Sequence, residues 1–322
     1  MGRTDLIDPA RTHDLTHAQY HSAHRLVAEL PGATAIYPTH GFGSFCSSGA
    51  ATGGDTSTLA AEAARNDALT EPDEDAFVDR LIANLSAYPS YYAHMAPLNR
   101  AGPRAPDPSP PAVLDPAALR ARLEGGEWVV DLRTRTAYAA AHLPGTVEIE
   151  LGPQFATYVG WLAPWGTPLT LIGADPADVT AARRQLVRIG IDHLAGAATG
   201  SPADLADGQT PRAYPVAHWG DLPVALRGTE PNPTGAGSSP QVLLDVRRTE
   251  EHRAGSVPGA VNIPIHDLLT HLGDIPPGTV WVHCASGLRA GIAASLLDRA
   301  GRDVVLIDDP FTNAAAAGIT VT

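Results

Sequence analysis

The sequence predicts an α/β protein in which two parallel-sheet domains follow a separate amino-terminal segment. Short apolar runs of strand length alternate with helical patterns after residue 112, and this alternation is typical of parallel sheets covered by helices. The same order of elements occurs twice, over residues 112–205 and again over residues 212–322. A proline-rich stretch at residues 103–111 predicts an extended linker between these repeats and residues 1–102.

Composition excludes several classes of protein. The 322 residues are 44% hydrophobic, which is enough for the packed cores of about two or three domains. The net charge of −13 leaves no basic surface for nucleic acid, and no apolar run is long enough to span a membrane. The two cysteines, Cys46 and Cys284, lie in different segments, so a reducing cytoplasmic location is expected. The oligomeric state stays open.

The first repeat contains a helix, two strands and a second helix in its sequence pattern. Asp115 can cap a helix that has Pro116 at its first position. Residues 128–133 and 169–172 predict buried strands, and residues 177–189 predict the helix that follows the second of them.

The second repeat carries the most informative residues of the chain. Cys284 follows the apolar strand pattern at residues 280–282, and a helical pattern over residues 290–300 comes next. A thiol at the amino end of a helix faces unpaired backbone N–H groups and the positive end of the dipole, which favour the thiolate form. Arg289 adds a fixed positive charge nearby. The pattern indicates a nucleophilic sulfur at the mouth of a strand-to-helix turn.

The spacing Cys-x4-Arg resembles the active loop of the rhodanese sulfurtransferases. The flanking Asp-Val-Arg of residues 245–247 and Gly-Ser-Val-Pro-Gly-Ala-Val-Asn-Ile-Pro of residues 255–264 also resemble motifs of this family, with Ser256 where the family usually has His. The related phosphatase loop is one residue longer, so the short loop favours sulfur over phosphoryl transfer. The resemblance implies that Cys284 and Arg289 are catalytic and that the following residues bind the transferred sulfur: Ala285, Ser286, Gly287, Leu288 and Ala290.

The first repeat resembles the same family but has lost its thiol. Aligning the repeats places Gly173 opposite Cys284 and Asp178 opposite Arg289, so the first copy cannot form a persulfide. The resemblance therefore implies two rhodanese-like parallel-sheet domains, the first inactive and the second active. The alternative is two unrelated α/β units that share common turn chemistry.

Residues 1–102 resemble the carboxy-terminal part of a metallo-β-lactamase-fold domain, most closely that of the persulfide dioxygenases. The matching sequences are Gly-Arg-Thr-Asp at residues 2–5, Tyr-His-Ser-Ala-His at 20–24, Leu-Pro-Gly at 30–32, Ile-Tyr-Pro-Thr-His-Gly-Phe at 36–42 and Tyr-Tyr-Ala-His-Met-Ala-Pro-Leu-Asn-Arg at 91–100. The family's His-x-His-x-Asp-His motif is absent from this chain, and His40 is the only position that matches a metal ligand.

The resemblance therefore implies a truncated αββα segment that has no dioxygenase activity. One imidazole cannot hold a metal that needs two His and a carboxylate, so no cofactor is expected in this chain. The family's iron is expected only if the missing ligands are supplied. Either the reading frame begins too late or the gene is naturally truncated or split.

Several other residues allow either a functional or a purely structural interpretation. Cys46 could resolve a disulfide, although an unreactive cysteine is the simpler expectation, and Glu250 and Glu251 predict a solvated turn. Asp245 and Arg247 could steer substrate, but a structural ion pair beneath the active loop is favoured. Four histidines share one helical face and could bind zinc or nickel, although part of their helix already matches the metallo-β-lactamase-fold family: His13, His17, His21 and His24.

These observations predict a sulfurtransferase that moves sulfane sulfur from thiosulfate or a persulfide to a thiol or cyanide through a Cys284 persulfide. Its partners are small sulfur donors and thiol acceptors. The alternatives are a fragment of a persulfide dioxygenase–rhodanese fusion, a non-catalytic sulfur-binding module, and an arsenate reductase or phosphatase. The prediction requires that the thiol be accessible from solvent and that the loop amides point towards it.

Overall fold

The computed structural model describes residues 2–37, 56–85, 87–102, 105, 109–223, 226 and 240–322. His40, Cys46 and most of the proline-rich stretch at 103–111 lie outside the described residues. The chain divides into two compact units, Met1–Pro103 and Arg104–Thr322, and each is considered by itself.

The amino-terminal unit is mainly helical in its described part. The long helix α1 packs on a shorter helix, α4, and Tyr20 of α1 meets Phe77, Val78 and Leu81 of α4 in a small buried core. A short antiparallel pair of strands precedes the second helix. The elements are α1 (Thr12–Glu29), β1 (Ala35–Ile36), β2 (Ser57–Thr58), α2 (Leu59–Arg65), α3 (Asp67–Thr70), α4 (Glu74–Ala83) and α5 (Tyr92–Ala101).

The first repeat forms a sheet whose described strands are all parallel, in the order β4-β3-β5-β6. Its two central strands are buried at every position, as expected for parallel strands covered on both faces. The elements are α6 (Pro116–Glu124), β3 (Trp128–Asp131), α7 (Arg135–Ala140), β4 (Val147–Glu148), α8 (Phe155–Leu162), β5 (Leu169–Gly173), α9 (Pro176–Val187), β6 (Gly196–Thr199) and α10 (Pro202–Leu205).

The second repeat forms a parallel sheet in the order β7-β11-β10-β8-β9 over its described strands. Strand β10 lies at its centre and leads directly into the Cys284 loop. The elements are β7 (Val216–Ala217), β8 (Gln241–Asp245), α11 (Thr249–Arg253), β9 (Val261–Asn262), β10 (Thr279–His283), α12 (Leu288–Arg299) and β11 (Val304–Ile307).

The two repeats share one hydrophobic core. Tyr138 and Phe155 of the first repeat belong to the same buried cluster as Val282 and Ile292 of the second. Helix α12 packs on β4, and the Ser295 hydroxyl accepts a hydrogen bond of 2.9 Å from the Glu148 backbone N–H. The repeats therefore pack against each other as parts of one folded unit.

A matching ion pair at the end of β3 and β8 supports the internal repeat. Arg133 contacts Asp131 at 2.5 Å in the first repeat, and Arg247 contacts Asp245 at 2.6 Å in the second. Each arginine also donates to a backbone carbonyl eight residues further on. The predicted fold class, two parallel-sheet α/β domains, is confirmed. Among the described residues, no helix is both long enough and apolar enough to cross a membrane.

Candidate active site

Cys284 lies between β10 and α12, where the sequence predicts it. Helix α12 begins at Leu288, two residues before the predicted start, so the connecting turn is short. The backbone N–H of Gly287 donates a hydrogen bond of 3.2 Å to the Cys284 sulfur. A backbone donor at a helix amino terminus is the arrangement that stabilises a negatively charged sulfur.

The depth of the thiol does not meet the condition, set from the sequence, that it be accessible from solvent. Cys284 is only 1% exposed, whereas the sequence analysis places it at the mouth of the turn. The difference arises because β10 is the central strand of its sheet and Cys284 belongs to the buried cluster that both repeats form. A reagent can therefore reach this sulfur only through a narrow group, or after the loop has opened.

Gly287 is required at its position by backbone and by packing. Its φ is +98°, a conformation that L side chains rarely adopt. A Cβ atom there would lie 2.2 Å from Oδ1 of Asp308 and 2.9 Å from Nε of Arg135. These two side chains form an ion pair of 2.7 Å between the second repeat and the first. The first repeat thus reaches the loop that carries the thiol.

Arg289 is held by a carboxylate that the sequence analysis assigned to a solvated turn. Its guanidinium donates to both carboxyl oxygens of Glu251, at 2.6 and 2.8 Å. Burial alone would lower the pKa of Arg289, but the Glu251 hydrogen bonds raise it, so the arginine stays charged. Glu251 is therefore part of the site and not a freely solvated side chain. Arg289 supports the loop while its charge is partly neutralised.

A cavity of about 320 Å³ lies beside the loop and is lined by both repeats. Ser286, Leu288 and Arg289 of the Cys284 loop form part of its wall. Its remaining lining residues are Arg248 and Glu251 of the second repeat and Gln154 and Tyr158 of the first. Because no local motif marks these partners, sequence reasoning missed the contribution of the first repeat.

Beneath the loop, the predicted structural ion pair is present. Asp245 and Arg247 are both buried, and His252 also contacts Asp245 at 2.9 Å. Burial alone would raise the pKa of Asp245, but the hydrogen bonds from Arg247 lower it, so the carboxylate stays charged. The Arg247 guanidinium lies 3.7 Å from the centre of the Phe311 ring. The backbone N–H of Phe311 donates a hydrogen bond to the carbonyl oxygen of Ala285. These contacts fix the base of the loop.

The sequence profile of the Rhodanese-like domain family matches residues 234–317. Residues 234–317 are a rhodanese-like domain. This segment holds Cys284, Arg289 and all the predicted substrate-binding residues, so the resemblance inferred from the loop is confirmed.

Three other proteins are similar to parts of this chain. A metallo-β-lactamase structure from Staphylococcus aureus is 28% identical with a TM-score of 0.52, covering 62% of this chain and 55% of that one. A thiosulfate sulfurtransferase structure from Pseudomonas aeruginosa is 21% identical with a TM-score of 0.27, covering 72% and 43%. An HTH-type transcriptional regulator of Mycobacterium tuberculosis is 35% identical over 82 residues, which are 24% of this chain and 36% of the regulator.

The chain thus spans about half of the staphylococcal protein and about a third of the curated regulator. The amino-terminal unit makes up less than a third of the chain, so the staphylococcal match extends into the unit that contains the rhodanese-like domain. A metallo-β-lactamase-fold segment joined to rhodanese-like repeats agrees with this finding.

The turn of the first repeat differs chemically from the turn of the rhodanese-like domain. The carboxylate of Asp178 accepts hydrogen bonds from the backbone N–H groups of Ala174 and Asp175, at 3.0 and 3.3 Å. A carboxylate of the protein itself therefore accepts the hydrogen bonds of backbone amides at the amino end of α9. A Cβ on Gly173 would lie 2.9 Å from the Asp175 carbonyl oxygen, so even the position aligned with Cys284 has little room for a side chain.

The described residues do not provide a ligand set for the iron that the dioxygenase resemblance implies. No group of three or more His, Cys, Asp or Glu side chains among them could hold a metal ion. His17 and His21 instead contact Glu74, at 2.5 and 3.0 Å. His40 and Cys46 fall outside the described residues.

Proposed function

We propose that this protein is a sulfurtransferase that moves sulfane sulfur from thiosulfate or a persulfide to a thiol or cyanide. The observation that carries the proposal is the hydrogen bond from the Gly287 N–H to the Cys284 sulfur at the start of α12, within a rhodanese-like domain. The first repeat, whose loop amides are used by Asp178, takes no part in the covalent step.

The reaction consists of two exchanges at sulfur. The Cys284 thiolate attacks the outer sulfur of thiosulfate, a new S–S bond forms, and sulfite leaves with the electron pair of the broken S–S bond. An acceptor thiolate, or cyanide, then attacks the outer sulfur of the Cys284 persulfide and releases the Cys284 thiolate. We propose that this cycle needs no metal, because no step requires a Lewis acid or a redox partner, and that it takes place in a reducing cytoplasm.

The loop amides and Arg289 have separate roles in this proposal. Residues 285–290 stabilise the charge on the terminal sulfur in the manner of an oxyanion hole, and Gly287 already donates to the sulfur beneath it. Arg289 draws in the anionic donor and, through Glu251, fixes the first turn of α12.

Mass spectrometry after incubation with thiosulfate tests the proposal. We expect one added sulfur atom on Cys284, its loss on addition of cyanide, and formation of thiocyanate over many turnovers. Cys284→Ser should abolish all three, whereas Cys46→Ser, which removes the only other cysteine, should leave them intact. Sulfur transfer by the Cys284→Ser variant at the wild-type rate would refute the proposal.

The burial of Cys284 favours one alternative, a protein that carries sulfane sulfur without turning it over. Cys284 is only 1% exposed, so once it has taken up a sulfur atom the closed loop would shield the persulfide from acceptor thiols. In that case the same experiment would load one sulfur atom per chain, and neither cyanide nor a low-molecular-weight thiol would remove it.

A further inference from the structure

The side chain of Arg135 lies along the start of α12, the helix that follows the Cys284 loop. Its aliphatic part packs on Gly291, where an added Cβ would lie 2.6 Å from Cβ of Arg135. Its guanidinium reaches Gly287, where an added Cβ would lie 2.9 Å from Nε. The two glycines are four residues apart and share one face of the helix, so together they form a groove that this arginine of the first repeat fills.

The Arg135 guanidinium holds a carboxylate that borders the same loop. Asp308 follows β11, the strand beside β10, so the two parallel strands end at the same edge of the sheet. Nε of Arg135 donates a hydrogen bond of 2.7 Å to Oδ1 of Asp308. That oxygen would lie 2.2 Å from a Cβ on Gly287, so it occupies the place where a side chain would begin. A negative charge is therefore held against the glycine whose N–H donates to the Cys284 sulfur.

The turn of the first repeat shows what a carboxylate does at the start of a helix. There the Asp178 carboxylate accepts hydrogen bonds from the backbone N–H groups of Ala174 and Asp175. Backbone amides and the helix dipole both stabilise a carboxylate in such a position. Asp308 brings the same group to the start of α12, and if it bound the Gly287 N–H, the sulfur would lose its donor. In the structure, the Asp308 oxygen nearest to Gly287 accepts from Arg135 instead.

Arg135 is fixed in this position by a second carboxylate of the first repeat. Glu150 contacts Nη1 of Arg135 at 3.1 Å and accepts a hydrogen bond of 3.3 Å from its backbone N–H. Burial alone would lower the pKa of Arg135, but the hydrogen bond to Asp308 raises it, so the guanidinium stays charged. The first repeat therefore supplies a charged donor at a set place beside the loop.

We propose that Arg135 is a positioning residue for the Cys284 site, because it holds the Asp308 carboxylate away from the Gly287 N–H and so keeps that donor on the sulfur. This inference rests on the proposed sulfurtransferase function and deepens it. It assigns to the first repeat a part in preparing the nucleophile. Arg135 acts through Asp308 and Gly287 and does not itself contact the sulfur donor.

The pH dependence of alkylation of Cys284 by iodoacetamide tests this role on the full chain in the Cys46→Ser background. Iodoacetamide reacts with the thiolate, and because it is neutral its approach does not depend on the charges that the substitutions remove. Arg135→Ala frees Asp308 to bind the Gly287 N–H, so the pH of half-maximal alkylation should rise by about one unit. At pH values below both midpoints the rate should fall about tenfold. Other charged or titratable groups around Cys284 are the same in both proteins: Tyr158, Glu251, His283 and Arg289.

A second substitution separates the effect of the freed carboxylate from a loss of packing. Asp308→Ala in the Arg135→Ala background removes the competing acceptor and should reverse most of the shift in midpoint. Glu150→Ala in the same background is the matched control, because Glu150 also loses Arg135, whereas the atoms nearest to Gly287 belong to Asp308 and Arg135. It should restore nothing.

A third variant controls for stability alone. His142→Gln disturbs a hydrogen bond of 3.1 Å from the first repeat to Asp298, near the far end of α12. It should lower the temperature of thermal unfolding and leave the midpoint of alkylation unchanged.

Alkylation needs no sulfur donor, so its outcome is independent of whether the protein transfers sulfur. If the wild type loads no sulfur and Arg135→Ala still shifts the midpoint, the proposed function is wrong and the positioning role stands. An unchanged midpoint in Arg135→Ala, or equal restoration by Asp308→Ala and Glu150→Ala, would overturn the inference. If Arg135→Ala does not fold, Arg135→Gln keeps an uncharged side chain in the groove, and the same comparison with and without Asp308→Ala decides the question.

Discussion

Replacing Gly287 by alanine tests whether the first repeat supports the Cys284 loop. An L residue at φ +98° costs about 1–3 kcal/mol. The new Cβ would also lie 2.2 Å from the Asp308 oxygen that accepts the Arg135 hydrogen bond, so the carboxylate must move and that bond must break. Loss of a hydrogen bond between charged groups costs about 1.5–3 kcal/mol. We therefore expect Gly287→Ala to destabilise the protein by about 3–5 kcal/mol.

Thermal unfolding followed by circular dichroism measures the effect. For a unit of this size, about 2–4 °C is lost per kcal/mol, so the transition should fall by about 10 °C. Gly301→Ala is the matched control, because Gly301 has φ +76° but no heavy atom within 4 Å of an added Cβ. The Gly301→Ala variant should be destabilised only by the strain of an L residue at positive φ, about 1–2 kcal/mol.

Sulfur loading provides a second readout. If the loop moves to accommodate the methyl group, the Gly287 N–H no longer meets the Cys284 sulfur, and persulfide formation should fall more than the loss of stability explains. Asp308→Ala in the Gly287→Ala background removes the obstructing carboxylate and should recover part of the stability, with a coupling of about 1–3 kcal/mol. The reasoning is refuted if Gly287→Ala resembles Gly301→Ala in stability and loads sulfur at the wild-type rate.

Three further perturbations follow from buried charges. Burial raises the pKa of Glu148 well above its usual range, so the free energy of unfolding falls as pH rises above about 4.5. In urea unfolding, Glu148→Gln should raise that free energy by about 1–3 kcal/mol at pH 8 and by less at pH 5. Burial lowers the pKa of His283 to about 4, so the free energy of unfolding falls as pH falls from about 6.5 to 4. In the His283→Phe variant this acid-induced loss should be smaller by up to about 3 kcal/mol. Arg289→Ala leaves Glu251 unpaired beside the cavity, so KM for thiosulfate should rise about tenfold at low salt and less at high salt, and Glu251→Gln in that background should reverse part of the rise.

The elements of each repeat could be predicted because their signals are local. Residues 177–189 predict a helix that the structure has as Pro176–Val187, since Asp175 caps it and the apolar spacing continues through it. The Cys284 loop is local as well, because the strand, the turn glycine and the helix start lie within a few residues of one another. The ion pair of Asp245 and Arg247 spans two residues and was predicted for the same reason.

The composition of the site could not be predicted because its partners are distant in sequence. Arg135 meets Asp308 across 173 residues, and Tyr158 reaches the same cavity as Arg289 through the packing of one repeat on another. The burial of Cys284 has the same origin. The periodicity of the sequence predicts that the thiol lies at the end of a strand, but it does not predict how far packing between the two repeats buries that end.

The contrast between the two loops shows how the first repeat can contribute to the site although its own turn has no thiol. In the first repeat the amides at the helix start bind the Asp178 carboxylate, whereas in the second the Gly287 amide faces the Cys284 sulfur. The first repeat is thus closed to an external anion, yet its remaining surface is built against the second. A Cβ on Gly291 of α12 would lie 2.6 Å from Cβ of Arg135, which leaves no room for a larger residue between them. Close contact at both Gly287 and Gly291 fixes the first repeat against α12, the helix whose amino end lies at the Cys284 sulfur. The first repeat therefore still determines the shape of the site although its own turn lacks the thiol.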